Sequence, residues 1–289
     1  MSTGNLSHST IAVSISESPD MGTYGLSLGH LREALADFAI HLLASGDDLA
    51  YGGDLRAHGF TELLFDLVAR YRRPAEVNVR PPVTNYLAWP VHISMTAASL
   101  FGFEAHLRGS AKLTLLARDG SRLTMEERQS LKRHAPSESE WAEGLTRMRE
   151  VMRAESDARV VLGGRVEGYK GRMPGIAEEA LLSLQSGQAV FLVGGFGGCT
   201  RDIAETLRLV EPRAGSDPGW PGRQAFERWG VRDLHNGLSD KENRLLAHTP
   251  YVQDAVDLVL RGIGRLRDDP AHKQHTEILH ETEEGPPIR

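Results

Sequence analysis

The sequence predicts an α/β fold, a doubly wound and mostly parallel Rossmann-like sheet with a helical insertion and extra C-terminal helices. Two observations carry that expectation. Short apolar runs of strand length alternate with stretches of helical periodicity, the pattern of βαβ units. In addition, four of the predicted strand ends run into glycine or hydroxyl residues, where tight turns and close ligand approach need small side chains.

Ile11–Ser16 (IAVSIS) is the first strand, and Leu28–Ala44 follows as a helix with Leu31, Leu35, Phe38, Ala39 and Leu42 on one face. Asp48–Tyr51 is a strand running into Gly52-Gly53-Asp54, and Phe60–Tyr71 is the next helix, ended by Arg80-Pro81-Pro82. Val83–Trp89 and Lys112–Ala117 read as strands. Thr124–His134 and Ser137–Ser156 read as polar helices opened by the capping boxes Thr124-x-x-Glu127 and Ser137-x-x-Glu140.

The alternation then resumes. Arg159–Leu162 is a strand entering Gly163-Gly164-Arg165, and Ile176–Leu184 is a helix launched by Pro174-Gly175. Ala189–Val193 is a strand feeding the turn Gly194-Gly195-Phe196-Gly197-Gly198, with a helix over Thr200–Val210. Glu211–Trp220 is a loop by composition. Ser239-Asp240-Lys241-Glu242 opens a helix to His248, and Tyr251–Leu266 closes the fold. A disordered N-terminus over 1–10, one domain over 11–267 with its insertion at about 120–157, and a frayed tail over 268–289 complete the expected organisation.

With 289 residues, 40% hydrophobic and 25% charged, the composition is that of an ordinary globular protein. The net charge of −6 gives no field toward nucleic acid or anionic lipid, so neither partner is expected. A single cysteine, Cys199, excludes an internal disulfide and a multi-cysteine metal site. No histidine spacing suggests zinc, and no metal is expected. The polar start and the short apolar runs predict a cytoplasmic protein without a membrane span. The Trp141, Met148, Val151 and Met152 stripe reads as core.

In an open α/β sheet, ligands sit beyond the carboxyl ends of strands near the point where strand order reverses. Four such ends are candidates: Ser16-Glu17-Ser18, Gly52-Gly53-Asp54, Gly163-Gly164-Arg165 and Gly194–Gly198 with Thr200. The last offers backbone N–H groups and a helix dipole suited to phosphate. It has Gly-Cys-Thr where a P-loop has Gly-Lys-Ser/Thr, and its alternative reading is a tight turn capped by Thr200. Asp54 either accepts ribose hydroxyls or caps a turn. Near Pro174-Gly175, a carboxylate of Glu178 or Glu179 can stabilise an oxocarbenium-like charge while Arg172 orients phosphate. Those glutamates equally suit a helix N-terminus for dipole reasons alone.

SISESPD, YGGD before GFTELL, LGGR, PGIAEEALL and FLVGGFGG-x-TRDIAE, in that order, resemble the bacterial branch of the SLOG superfamily. That superfamily groups the Smf/DprA proteins, the "lonely guy" phosphoribohydrolases and the nucleotide-sensing domain of melastatin-type channels. The resemblance spans about Ile11 to Val210 and implies a nucleotide or ADP-ribose-like ligand at these loops. The phosphoribohydrolases carry Pro-Gly-Gly-x-Gly-Thr-x-x-Glu; Pro174–Glu179 keeps the proline, one glycine and the acidic start but lacks the Gly-Thr pair. The expected function is a sensor or effector domain binding ADP-ribose, an NAD-derived molecule or a cyclic nucleotide. The alternatives are a nucleotide N-glycosidase releasing a free base, and an adaptor with a vestigial pocket. A homodimer is the expected assembly.

Overall fold

A computed structural model describes residues 8–71, 81–107, 111–213 and 219–268. Residues 1–7, Arg80, 214–218 of the expected loop and 269–289 of the expected tail lie outside the described residues. Seven strands form one sheet: β1 (Thr10–Ser16), β2 (Asp48–Tyr51), β3 (Val83–Leu87), β4 (Lys112–Leu116), β5 (Arg122–Leu123), β6 (Ala158–Gly163) and β7 (Ala189–Val193). Their order is β5-β4-β3-β2-β1-β6-β7, with every pairing parallel except β4–β5. The chain therefore runs outward from β1 to one edge, returns, and continues on the other side of β1.

Ten helices accompany the strands among the described residues: α1 (Leu28–Ala44), α2 (Phe60–Tyr71), α3 (Trp89–Ile93), α4 (Ala97–Leu107), α5 (Met125–Ser130), α6 (Glu138–Ala154), α7 (Gly175–Gln185), α8 (Gly198–Thr206), α9 (Asp240–His248) and α10 (Val252–Asp268). The odd residues of β1, Ile11, Val13 and Ile15, share a core with Leu31, Leu35 and Phe38 of α1 and Val256, Val259 and Ile263 of α10. The even residues are small. Ala12 packs with Ala50, Tyr86 and the α6 methionines Met148 and Met152, as the apolar stripe suggests.

The sequence reading did not expect α4 or β5, and three further differences from it have local causes. Trp89 leaves β3 and starts α3, with Pro90 in its first turn, where proline's fixed φ suits a helix start. The helix expected over Thr124–His134 keeps its capping box but ends at Ser130, and the Arg128 side chain turns inward to bind the carbonyls of His92, Ile93 and Met95. The helix expected to reach Val210 stops at Thr206, because Arg208 adopts a left-handed conformation (φ 59°) and Leu209 N–H returns to Ala204 O. The stretch expected as an insertion contains α6, the crossover that carries the chain back across the sheet to β6.

Strand β7 is an edge strand, yet all five of its residues are buried. The C-terminal segment covers it, and Asn236 Nδ2 donates to Val190 O at 2.8 Å. That bond satisfies a ladder carbonyl that a bare edge would expose.

Candidate functional site

The strand order reverses between β1 and β6, so their carboxyl ends, Ser16 and Gly163, lie side by side. Glycine makes that approach possible. Gly163 has φ +62°, and a Cβ there would sit 2.4 Å from Ser16 O, while Gly164 N–H donates to the same oxygen at 3.0 Å. Ser18 is buried and donates to Phe196 O at 2.7 Å. Glu17 and Arg165, both half in solvent, pair at 3.3 Å across the mouth.

The Gly194–Gly198 turn lies at the same end of the sheet, and all five residues are buried. Its glycines admit neighbouring backbone: a Cβ on Gly195 would lie 1.9 Å from Thr249 O, and one on Gly198 would lie 2.3 Å from Gly164 O. Its amides have internal acceptors. Gly198 N–H donates to Asp20 Oδ1 at 2.8 Å, and Cys199 N–H donates to Gly164 O at 3.0 Å. Thr200 Oγ1 donates to Gly163 O at 2.8 Å. The Asp20 carboxylate thus occupies the start of α8, where the dipole favours an anion, and is held by Arg213, which also pairs with Asp202 and Glu205. Burial pushes the Cys199 thiol far above its ordinary range, so it stays protonated.

Glu178 and Glu179, in the first turns of α7, are both buried. Glu178 pairs with Arg149 and accepts from Thr146 Oγ1 at 2.5 Å. Glu179 pairs with Arg159 at 2.9 Å, lies 3.5 Å from Arg149 Nε and accepts from Ser14 Oγ. Arg159, on β6, is wholly buried and also donates to Ser14 Oγ and Ser183 Oγ, each at 2.8 Å. Each carboxylate therefore has a guanidinium, as buried charges require. Gly175 makes room for this cluster, since a Cβ there would lie 2.6 Å from Arg149 Nη2. Arg172 is exposed and stands outside it.

At the end of β2, Gly52 abuts Met148, where a Cβ would lie 2.8 Å from the methionine methyl, and Gly53 O accepts from Asn85 Nδ2 at 3.3 Å. Asp54 pairs with Arg56 at 2.6 Å, and its carbonyl accepts from Thr61 Oγ1. Burial raises the Tyr51 phenol pKa well above its usual value, and the negative charges of Glu179 and Asp54 add to the shift. Lys170, in the loop between β6 and α7, lies 3.7 Å from the centre of the Trp141 ring on α6.

The structure brings together Ser16–Ser18, Gly163–Arg165, Gly194–Gly198 and Thr200, and it seats Glu178 and Glu179 beneath the β6–α7 loop. Sequence reasoning missed Arg149, Arg159 and Asp20. A signal existed for Arg159, a charge at the head of the apolar run Arg159–Leu162 in a strand buried on both faces. Arg149 lay hidden in a helix whose stripe reads as core. Among the described residues, no group of three histidine, cysteine or acidic residues could hold a metal ion. No described helix is long and apolar enough to cross a membrane.

A protein-family model described as SLOG cluster2 matches residues 5–217, from the start of β1 through α8. No curated protein matches the chain.

Proposed function

The chain belongs to this SLOG family, and from that premise we propose that it senses a nucleotide-derived ligand, ADP-ribose, an NAD-derived molecule or a cyclic nucleotide, at the β1–β6 crevice. One observation carries the reading. The buried carboxylates Glu178 and Glu179 are matched by Arg149 and Arg159, which leaves the charged groups of the loop between β6 and α7 to meet an arriving anion. They are Arg165, Lys170 and Arg172 with Glu167, all exposed. Arg165 pairs with Glu17 and Lys170 lies on Trp141, and Arg172 is the arginine offered to a phosphate, which a guanidinium suits by bidentate contact. In this reading Ser16, Glu17, Gly163 and Gly164 line the crevice, and Asp54, paired with Arg56, offers ribose an acceptor. Asp20 already fills the start of α8, which favours placing phosphate at the β6–α7 loop.

Calorimetry of the full chain with NAD, ADP-ribose, cyclic ADP-ribose and AMP tests this. Micromolar binding is expected for at least one of them, weakened at least tenfold when Arg165, Lys170 and Arg172 are all changed to glutamate. No binding at millimolar concentration sinks the reading.

A second reading is nucleotide N-glycosidase activity, favoured by the placement of Glu179, oriented by Arg159, Arg149 and Ser14 near the end of β1. A carboxylate held that way can stabilise positive charge developing at C1′. Chromatography would then detect free base from a nucleotide panel, and Glu179→Gln would abolish its release. Base release that survives both Glu178→Gln and Glu179→Gln removes this role.

A further inference from the structure

A trough of 390 Å³ lies between α2 and α4, beside the loop that follows β2. Its size is within the range of small-molecule sites, about 300 to 1,000 Å³. Phe65 of α2 and Phe103 of α4 line it together with Leu55 and Leu107, so its body suits a flat apolar ring. Glu62, Asp66 and His106 also line it. Among the described residues that line it, the one guanidinium, Arg56, is already paired with Asp54 at 2.6 Å. Among the described lining residues the carboxylates of Glu62 and Asp66 have no cationic partner, and a carboxylate repels a phosphate and accepts hydrogen bonds from N–H groups. Glu62 is engaged by the His58 amide, leaving Asp66 as an acceptor for an incoming donor.

A second, independent feature marks the same place. Gly102 lies within α4 and lines the trough, and beyond its own helix backbone and chain neighbours a Cβ there would meet no described atom within 4 Å. Glycine inside a helix costs roughly 1 kcal/mol relative to alanine. Neither a left-handed φ nor close packing requires it here.

We propose that the trough seats the base of the nucleotide ligand, with an exocyclic amine such as that of adenine directed to Asp66. The inference rests on the sensor reading above: a ribose held by Asp54 would direct its base past Arg56 into this space. It adds the recognition of the base, which the crevice residues leave undefined.

The test is calorimetry of the full chain with ADP-ribose, AMP and ribose 5-phosphate, for the wild type, Gly102→Leu and Asp66→Asn. Gly102→Leu places a side chain in open space and favours the helix, and Asp66 is exposed, so thermal melting should show both variants folded. The expected result is at least tenfold weaker ADP-ribose and AMP binding by Gly102→Leu, about fivefold weaker by Asp66→Asn, and unchanged ribose 5-phosphate binding. Unchanged ADP-ribose and AMP affinity in both variants overturns the base seat and leaves the sensor reading standing. Equal weakening of all three ligands overturns it too. A wild-type chain that binds none of the three overturns the base seat, and one that also fails to bind NAD and cyclic ADP-ribose removes the sensor reading with it.

Discussion

Arg159 of β6 and Glu179 of α7 meet at 2.9 Å, with the arginine wholly buried in the sheet face. Burial lowers the guanidinium pKa from its ordinary value, and Glu179 acts to raise it again. Removing one partner of a buried pair leaves the other charge uncompensated, at a cost of about 3–5 kcal/mol. Glu179→Ala is expected to destabilise the fold by that amount in urea titration. An Arg159→Met, Glu179→Leu double replacement, which removes both charges, is expected to recover part of the loss.

His92 supplies a prediction for pH. Its Nδ1 accepts from Arg128 Nε at 3.0 Å, which places the ring proton on Nε2, donated to Leu116 O at 2.7 Å. Burial, reinforced by the Arg128 charge, lowers the imidazole pKa to about 4. In the unfolded chain the ring titrates near 6.5, so between these values the unfolded state binds more protons. The stabilisation is complete above about pH 6.5 and is lost as pH falls toward 4. Unfolding free energy should fall by about 2 kcal/mol from this residue between about pH 7.5 and pH 5. His92→Gln should flatten that difference in urea titrations at the two pH values.

Asn236 tests the sealing of the β7 edge. Its Nδ2 donates to Val190 O and to Asn243 Oδ1, both at 2.8 Å. Asn236→Ala leaves a buried strand carbonyl without a donor, an expected loss of about 1–3 kcal/mol. Thermal melting measures it. Light scattering on heating should also rise earlier, because an uncovered edge strand pairs with other chains.

Most of the strands were legible because each is a local apolar run bounded by turn residues. The capping boxes at Thr124, Ser137 and Ser239 form as their spacing indicates, because each needs only a contact three residues away. Short α3 and the two-residue β5 escaped because neither carries enough residues for a period to show, and α4 escaped because it buries only Leu100 and Leu107 and so shows no apolar stripe. The candidate site was legible as a set of strand ends, since small residues after apolar runs mark where loops approach one another.

The amino-acid sequence by itself determined the alternation, the four strand-end loops and the acidic start of α7. Tertiary structure alone decided what those groups touch. Ser14, Arg159 and Glu179 are far apart in the chain and meet because β1 lies beside β6 and α7 packs over both. Asp20 caps α8 from 178 positions away, which turns a glycine turn that composition suits to phosphate into one already holding a carboxylate. Local spacing records period and caps. Which carboxylate meets which donor depends on strand order and packing, which place distant residues side by side.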